Sequence, residues 1–296
     1  MSGDKSSDSP LVRASAKDYW KLVKPRIMYL VVFTASAGIM VAPGVVHPLI
    51  GLVATLCVAL GSGAAGALNM WYDSDIDALM TRTSSRPVPS GRISKVNALE
   101  CGLALSIIAV LIMAIVVNYL SAALLAGSIF FYAVIYTILL KRRTPQNIVI
   151  GGIAGAFPPV IGWASVSGSL AGESMVLFLI IFLWTPPHFW ALSLLNREDY
   201  RNAGIPMLPV ISISSTRTHV LGYSIALFLS TLLPCFFVSE VALYAINAIS
   251  LGSVFIVRAS SLFAEKCEPS HDHCMDLFSY SIYYLFLIFS AVVLCN

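Results

Sequence analysis

Nine runs of apolar residues divide this chain of 296 residues, and their lengths limit what it can fold into. A helix needs roughly 20 apolar residues to cross about 30 Å of hydrocarbon. Charged residues make up only 11% of the chain, whereas they make up about a quarter of an average soluble domain. The sequence therefore predicts an all-α integral membrane protein with nine transmembrane helices. The predicted spans are Met28 to Val41, Leu49 to Met70, Val96 to Val117, Ala122 to Leu140, Ile148 to Val166, Met175 to Leu195, Val220 to Phe237, Val241 to Val257 and Leu277 to Leu294.

The basic residues determine the predicted orientation of these spans. All 18 Lys and Arg residues precede the first span or lie in or beside every second gap, and the other gaps, such as 118–121 and 167–174, contain none. Because basic loops stay on the cytoplasmic side, we expect a multi-pass protein with a cytoplasmic N-terminus and a C-terminus outside. The predicted location is a bacterial inner membrane, with the mitochondrial inner membrane as the alternative. The net charge of +3 follows from this bias and requires no nucleic-acid partner.

The gaps between the spans also indicate the domain organisation. Residues 1–18 are largely polar and are predicted to form a disordered cytoplasmic tail, and residues 19–296 are predicted to form one membrane domain. The two long polar gaps, after spans two and six, have the same orientation and lie four spans apart. This spacing indicates a duplicated half, with a cavity between the two halves.

Acidic residues gather where the second span ends. Asn69, Asp73 and Asp77 lie at four-residue spacing, so on a continuous helix they form one stripe about 12 Å long. Asp75 is predicted to point elsewhere. Carboxylates that repel one another near a bilayer need positive compensation, and Mg²⁺ prefers such oxygen ligands and shares them with substrate phosphates. The stripe therefore predicts a metal-assisted phosphate site at the inner membrane face.

Three arginines follow this stripe closely in sequence. Arg82, Arg86 and Arg92 carry forked donors that suit phosphate oxygens. The alternative interpretation is structural, because aspartates at a helix end are often solvated and paired with neighbouring arginines. The additional Asn69 and the prolines of the loop 86–91 favour the functional interpretation.

The end of the sixth span has a similar arrangement. His188, Leu192 and Asn196 are again four residues apart, and Glu198 and Asp199 follow them. Both long loops are therefore predicted to bring polar side chains to the same membrane face.

Proline and glycine residues predict where the helices are irregular or closely packed. Pro186 and Pro187 are expected to break or kink the end of span six. Span five is expected to be bent and closely packed against another helix or a cavity, because it contains several small residues and a proline pair. These residues are Gly151, Gly152, Gly155, Gly162, Pro158 and Pro159.

Several of these segments together resemble a known family. The stretch from Asn69 to Ser94 strongly resembles the first signature of the UbiA-type intramembrane prenyltransferases. Within that family, the chain is most similar to the members that transfer a farnesyl group to haem. The resemblance covers roughly Tyr19 to the end, and its further motifs are Lys24-Pro25-Arg26, the segment 147–159, the segment 185–193, Glu198-Asp199-Tyr200 and the segment 204–209.

The resemblance implies a fold and a reaction. The fold is a UbiA-type bundle of nine transmembrane helices around a central cavity. The reaction is transfer of the farnesyl group of farnesyl diphosphate to a vinyl group of haem b, with addition of water, to give haem O for terminal oxidases. Mg²⁺ is the implied cofactor, and the lipid bilayer surrounds the protein. In the general family the second motif is richer in aspartate, so the number of metal ions stays open.

The implied roles fall on four groups of residues. The expected catalytic residues are Asn69, Asp73, Asp77 and Asp199. The expected metal ligands are these four together with Glu198. The diphosphate is expected to bind Arg82, Arg86, Lys141 and Arg142. The candidate haem-binding residues are His188, Asn196, Arg26 and Trp184. His188 is either an axial ligand of haem iron or a hydrogen-bonding partner for the carbonyl groups of a broken helix.

Three alternatives remain open from the sequence. The chain could prenylate another aromatic acceptor, such as a quinone precursor or a chlorophyllide, because the diphosphate site would be the same. It could be a transporter, although a transporter should carry charged residues nearer the middle of the membrane. Cys267, His271, His273 and Cys274 could form a zinc site, although their spacing is irregular and a solvated linker is the favoured interpretation.

Overall fold

The computed structural model describes residues 14–265 and 268–296, and in this part of the chain it contains helices and no strands. Eight helical segments there are long and apolar enough to cross a membrane, and the bent pair α1 and α2 supplies a ninth when counted as one span. The predicted all-α membrane fold is confirmed. The helices are α1 (Ala16–Leu22), α2 (Pro25–Val41), α3 (Pro48–Tyr72), α4 (Ser74–Leu79), α5 (Lys95–Ile112), α6 (Tyr119–Phe130), α7 (Asn147–Ser167), α8 (Gly172–Leu195), α9 (Arg197–Asn202), α10 (Leu208–Ile211), α11 (Ile213–Ser230), α12 (Val241–Ala264) and α13 (His271–Cys295).

Three spans include a stretch of non-α helix. Helix α5 continues as a π-helix over Met113–Val117, and α6 continues as a π-helix over Phe131–Leu140. Helix α11 is followed by a 3₁₀ turn over Leu233–Phe236. Periodic apolar patterns do not distinguish these helix types, because each of them buries the same kinds of side chain.

The first span begins earlier than predicted. Helices α1 and α2 meet at an angle of 54°. Ser15 caps α1, since its hydroxyl accepts a hydrogen bond from the amide of Asp18, whose side chain in turn accepts from the Ser15 amide. The predicted boundary between tail and domain, at residue 18, therefore falls inside a capped helix. Residues 1–13, which make up most of the predicted tail, lie outside the described residues.

The apolar core consists of two main clusters. One lies among α2, α3, α5, α6 and α7, and the larger one lies among α2, α7, α8, α11, α12 and α13. Helix α7 packs on both α2 and α8, so it lies between the two groups. It is also the most buried of the candidate spans, whereas α5 is the least buried. Helices α2 and α7 thus hold the two groups together.

Small residues allow α2 and α7 to approach closely, as the glycine and proline pattern of span five predicts. A Cβ atom on Gly162 would overlap the carbonyl oxygen of Ala35, and one on Gly38 would overlap the carbonyl oxygen of Pro159. Both obstacles are backbone atoms, which cannot move without shifting a helix. By contrast, a Cβ atom on Gly155, in the same helix α7, would have no neighbour within 4 Å.

The predicted break at Pro186 and Pro187 is wrong, because α8 runs without interruption from Gly172 to Leu195. Each proline removes one backbone hydrogen-bond donor, which costs roughly 3 kcal/mol in an isolated helix. Both prolines are buried, and α8 packs against α7, α11 and α13. Packing on several sides therefore holds the helix together where its own hydrogen bonds are missing.

We expect Gly162→Ala to destabilise the protein by about 1–3 kcal/mol, because the added methyl group meets backbone atoms and must push α2 away from α7. The measurement is the thermal unfolding temperature of the detergent-purified protein. Gly155→Ala is the matched control in the same helix, and it should leave this temperature unchanged or slightly raised, since alanine favours the helix. Equal effects of the two substitutions would contradict the close contact.

Candidate active site

The predicted acidic stripe lies at the junction of α3 and α4. Helix α3 ends at Tyr72 and Asp73 lies between the two helices, so the helix does not continue unbroken through the stripe. The four-residue spacing still holds in the backbone, because the Asp73 amide donates to the Asn69 carbonyl at 2.9 Å and the Asp77 amide donates to the Asp73 carbonyl at 2.8 Å. Asn69, Asp73 and Asp77 are all buried.

Asp73 is the most heavily compensated of these carboxylates. Its Oδ2 accepts from Lys141 Nζ at 2.5 Å and from Asn69 Nδ2 at 2.8 Å. Its Oδ1 accepts no hydrogen bond, although Arg142 Nη2 lies 3.5 Å away. One oxygen of a fully buried carboxylate is therefore left without a close donor, which is unusual unless a further ligand binds there.

Asn69 connects Asp73 to the first span. Its Oδ1 accepts from Lys24 Nζ at 2.6 Å, and its Nδ2 also donates to Thr137 Oγ1 at 3.1 Å. Lys24 has φ = 54° and ψ = 59°, and it is the single non-glycine residue with positive φ in the part of the chain that the structure describes. Such a left-handed residue costs about 1–2 kcal/mol, and here it directs a lysine towards the acidic stripe. The sequence signal is Pro25, which disfavours helical geometry at the preceding residue.

The π-helix over Phe131–Leu140 positions the two residues that reach Asp73 and Asn69 from the fourth span. The Thr137 hydroxyl donates to the Tyr132 carbonyl at 2.9 Å, and the Lys141 amide donates to the Tyr136 carbonyl at 2.9 Å. Both bonds join residues five apart, as in a π-helix. Long π-helical stretches are rare and frequently occur at functional sites. Lys141 was predicted, whereas Thr137 was missed because no sequence pattern indicates the π-helix.

Two more arginines pair with the carboxylates of this loop. Arg86 Nη1 donates to Asp77 Oδ2 at 2.6 Å. Arg142 binds Asp75 through two bonds of 2.7 Å, and this hydrogen-bonded pair lowers the pKa of Asp75 to about 2. The Asp75 side chain is half exposed and binds the same Arg142 nitrogen that lies 3.5 Å from Asp73 Oδ1. Arg86 and Arg142 therefore both lie at the acidic loop, as the diphosphate-binding prediction requires.

The second long loop meets the first through Arg82. Its backbone amide donates to Asp199 Oδ2 at 3.2 Å, and its Nη2 donates to the hydroxyl of Tyr200 at 3.2 Å. These two bonds join residues that are 117 and 118 positions apart in the sequence, so the two polar loops do lie at one face. Tyr200 was not predicted as a site residue, although it belongs to the Glu198-Asp199-Tyr200 motif.

Several predicted site residues do not join this network. Glu198 is largely exposed and pairs with Arg201 one turn later. Asn196 donates to the carbonyl of Leu192 in its own helix at 2.7 Å. Arg26 is exposed at the start of α2 and has no polar partner among residues 14–265 and 268–296.

His188 and Trp184 lie deeper, within α8, and both contact α13. His188 Nδ1 is 2.6 Å from Ser281 Oγ, and Trp184 Nε1 donates to the Ser281 carbonyl at 2.7 Å. The His188 ring stacks on Trp184 with ring centres 4.2 Å apart. The hydrogen bond that the structure gives His188 is to the Ser281 hydroxyl on α13 and not to a carbonyl of α8. Ser281 is a contact that the sequence did not reveal.

The oxygen atoms of the stripe suit a hard dication. Within the described ranges no three His, Cys, Asp or Glu side chains come close enough to share one metal ion. Asp73 nevertheless has an open Oδ1, and carboxylate and amide oxygens are what Mg²⁺ prefers. A dication bound here would complete its coordination with oxygens of the substrate, as Mg²⁺ does at phosphate sites. The residues present therefore fit this cofactor.

The possible zinc cluster does not form among the described residues. His273 contacts Glu265, and His271 lies beside Asp272. Cys274 is buried in the first turns of α13, and Cys267 lies outside the described residues. Residues 271–274 belong to α13 and are not a solvated linker.

Comparison with protein-family models decides the family. The model of the UbiA prenyltransferase family matches residues 31–283, which is most of the chain. The chain belongs to the UbiA prenyltransferase family. The resemblance inferred from the motifs is confirmed, and the all-helical bundle is that of this family.

Curated relatives from bacteria are similar over almost the whole chain. A protein named protoheme IX farnesyltransferase from Anaplasma phagocytophilum is 68% identical, and 96% of each chain is covered. Proteins of the same name are 55% identical in Ehrlichia chaffeensis, with 100% of each chain covered, and 52% identical in Rhizobium rhizogenes, with 98% and 92% covered.

Solved structures share the fold at low sequence identity. A digeranylgeranylglyceryl phosphate synthase has a TM-score of 0.76 at 16% identity and covers 94% of this chain and 97% of its own. A UbiA homologue from Archaeoglobus fulgidus, solved with GPP and Mg²⁺, has a TM-score of 0.66 at 14% identity and covers 93% of this chain and 99% of its own. These similarities confirm a UbiA-type bundle.

We expect Lys141→Met to destabilise the protein by about 3–5 kcal/mol, because it leaves the Asp73 carboxylate buried without its nearest cation. Adding Asp73→Asn should recover most of that loss, since the uncompensated charge is then gone. Chemical denaturation of the purified protein measures both values. Arg201→Ala is the control, and loss of its exposed pair with Glu198 should cost less than about 1 kcal/mol. Strictly additive effects of the two buried substitutions would contradict the pairing.

Proposed function

We propose that this prenyltransferase transfers the farnesyl group of farnesyl diphosphate to a vinyl group of haem b, with addition of water, to give haem O. The observation that carries the proposal is the buried network of carboxylates and basic side chains where the two polar loops meet. Such a network can hold an anionic leaving group and a dication together. The acceptor is proposed from the haem-farnesylating motifs and from the relatives named protoheme IX farnesyltransferase.

The basic side chains of the network are proposed to bind the diphosphate. Lys141 and Arg86 now neutralise Asp73 and Asp77, respectively. When a dication neutralises these carboxylates, both cations become free to turn towards the diphosphate oxygens. Arg82 is proposed to join them, because its guanidinium is held by a neutral tyrosine hydroxyl and by no carboxylate of the described residues. Arg142 completes the predicted set, although its strong pair with Asp75 limits its reach.

Mg²⁺ is proposed to bind Asn69, Asp73, Asp77 and Asp199, where it would neutralise charge on the departing diphosphate. The Archaeoglobus fulgidus structure with GPP and Mg²⁺ supports a dication in this fold. Glu198 is the weakest of the predicted ligands, because it is exposed and paired with Arg201.

The proposed chemistry proceeds through an allylic cation. The bond between C1 of the farnesyl group and its diphosphate oxygen breaks, and Lys141, Arg86 and Arg82 stabilise the charge that develops on the diphosphate. The terminal vinyl carbon of haem b then forms a bond to C1, which leaves a cation on the carbon next to the porphyrin ring. A water molecule adds to that carbon and loses a proton. Farnesyl diphosphate, haem b and water thus give haem O and diphosphate.

The surroundings of the site suit such a cation. Water must be kept from C1 until the vinyl group attacks, and an apolar interior does this. The rings of Tyr132 and Tyr136, with centres 5.4 Å apart, lie on the π-helix that also carries Thr137. Their electron-rich faces can stabilise a nearby cation. We propose that they face the farnesyl group.

The decisive experiment incubates detergent-purified protein with haem b, farnesyl diphosphate and Mg²⁺ and analyses the extracted haems by chromatography with mass detection. We expect farnesylhydroxyethyl haem as the product. Asp73→Asn should lower the rate by on the order of 100-fold or more, because it removes a buried charge at the leaving group. Asp75→Asn, two residues away and half exposed, is the matched control and should retain most activity.

Other outcomes of this assay separate the parts of the proposal. Diphosphate release with another aromatic acceptor, and no haem product, would keep the donor site and overturn the haem acceptor. Equal activity of Asp73→Asn and Asp75→Asn would overturn the assignment of the donor site.

We further propose that the protein lies in a bacterial inner membrane with the site at the cytoplasmic face, and that its product is used by haem–copper terminal oxidases. The proposal for orientation rests on the basic loops, all of which are at the end of the bundle that carries Lys24, Asp73 and Asp199. The last helix ends at the opposite end, where the Glu240 amide donates to the carbonyl of Cys295 at 2.9 Å.

A pair of reporter fusions tests this orientation. Alkaline phosphatase fused after Asn296 should be active, because it folds only outside the cytoplasm, whereas green fluorescent protein at the same position should be dark. Fusions placed in the loop 141–146 should give the reverse pattern. The same pattern at both positions would contradict the proposed orientation.

A further inference from the structure

The buried imidazole of His188 is held by four residues on α8 and α13. Its ring lies between Trp184 and Phe278, with ring centres 4.2 Å and 4.7 Å away and angles of 19° and 25° between the ring planes. Phe189 meets it edge-on at 5.2 Å. Ser281 contacts one ring nitrogen from α13. Both faces of the imidazole are therefore covered by aromatic rings, and its edge is the part that can meet another molecule.

The hydrogen bonds around Ser281 determine which nitrogen of His188 carries the proton. Ser281 Oγ lies 2.6 Å from the carbonyl oxygen of Phe278 and 2.6 Å from His188 Nδ1. Each contact at this distance requires a hydrogen atom between the two heavy atoms. The serine hydroxyl has only one, and the carbonyl has none. Ser281 therefore donates to Phe278, and His188 donates through Nδ1–H, a tautomer assigned from the network.

This tautomer leaves Nε2 of His188 as the nitrogen with a free lone pair. Nε2 makes no hydrogen bond to any residue within 14–265 or 268–296. A neutral imidazole whose Nδ1–H is held by a second residue, and whose Nε2 is open, is the arrangement in which proteins present histidine to a metal ion. Buried histidines that only fill space do not need this orientation.

We propose that His188 Nε2 is the axial ligand of the iron of the haem substrate, and that Ser281 is the residue that positions it. This inference rests on the proposed function, because it requires that haem is the acceptor. Donation from Nδ1–H to Ser281 makes Nε2 a stronger donor to iron and fixes the plane of the ring. Iron held at this point keeps the porphyrin from rotating, so that one vinyl group is presented to the farnesyl cation.

The position of His188 along α8 suits this role. It lies two helical turns, or about 12 Å, before Asn196 at the end of the helix. The diphosphate network is at that same end, where Arg82 meets Asp199 at the start of α9. A porphyrin ligated at His188 would therefore lie deeper in the bundle than the diphosphate. The reacting vinyl group could then reach C1 of the farnesyl group from the apolar side.

Trp184 and Ser281 act together in this arrangement. The Trp184 indole donates to the backbone carbonyl of Ser281 at 2.7 Å while its ring covers His188. The backbone contact fixes α13 against α8 whichever side chain is at position 281. Replacing Ser281 should therefore change the hydrogen bond to His188 without separating the helices.

The test is a haem b titration of the purified protein without farnesyl diphosphate, followed by visible and resonance Raman spectra of the ferric and ferrous complexes. We expect wild-type protein to show histidine-ligated haem. His188→Ala should lose that signature, and His188→Gly should regain it when imidazole is added. Ser281→Ala should weaken haem binding by about 10- to 100-fold. It should also shift the iron–histidine stretching band to lower frequency, whereas Ser281→Thr should restore both.

Ser224→Ala is the matched control for Ser281→Ala. Ser224 is equally buried, lies in the neighbouring helix α11, and bonds only the carbonyl of Val220 in its own helix. It should leave haem affinity and the stretching band unchanged. Size-exclusion chromatography establishes that each variant is folded before its spectrum is recorded.

The outcomes distinguish this inference from the proposed function. If the wild type makes haem O but His188→Ala keeps the wild-type haem spectrum, ligation by His188 is wrong and the proposed reaction stands. If Ser281→Ala behaves like Ser224→Ala, the positioning role of Ser281 is wrong. If wild-type protein transfers farnesyl groups to another acceptor and gives no haem spectrum, the haem acceptor and this inference fail together.

Discussion

Compensation of buried carboxylates by basic side chains is the interaction on which the rest of this structure depends. Asp73 is completely buried at the end of a transmembrane helix, and an unpaired charge there would be too costly for the fold to keep. Lys141 supplies the nearest compensation from the fourth span, and Asn69 links the same carboxylate to Lys24 from the first span. Side chains from three spans therefore meet at the Asp73 carboxylate and its partner Asn69.

The same charges are the groups that we propose for the reaction. Asp73, Asp75 and Asp77 each already have a cation, and in the proposed reaction these pairs exchange partners when a dication and a diphosphate enter together. The open Oδ1 of Asp73 is where such an exchange could begin. Arg82 connects this loop to Asp199 in the other half of the bundle, so substrate binding would act on both halves.

Close helix packing determines where these groups lie. Because Gly162 has no Cβ atom, α7 can approach α2 until their backbones are in contact at Gly162 and Ala35. Helix α7 in turn packs against α8. Helix α8 carries His188 towards Ser281 on α13. The small residues of α7 contribute no chemistry themselves, yet they bring the helices of the two apolar clusters close enough for one site to form.

The sequence by itself determined the membrane class, the number of spans, the shared face of the two polar loops and the acidic stripe. These features are local, because they depend on the length of apolar runs, on the alternation of basic gaps and on four-residue spacing. Tertiary structure alone decided which partners the stripe has. Lys24 and Asn69 are 45 residues apart, Thr137 and Asn69 are 68 apart, and His188 and Ser281 are 93 apart. Such pairs form only when packed helices bring them together. Neither the π-helix before Lys141 nor the unbroken α8 follows from local helix propensity, because packing against neighbouring helices overrides that propensity.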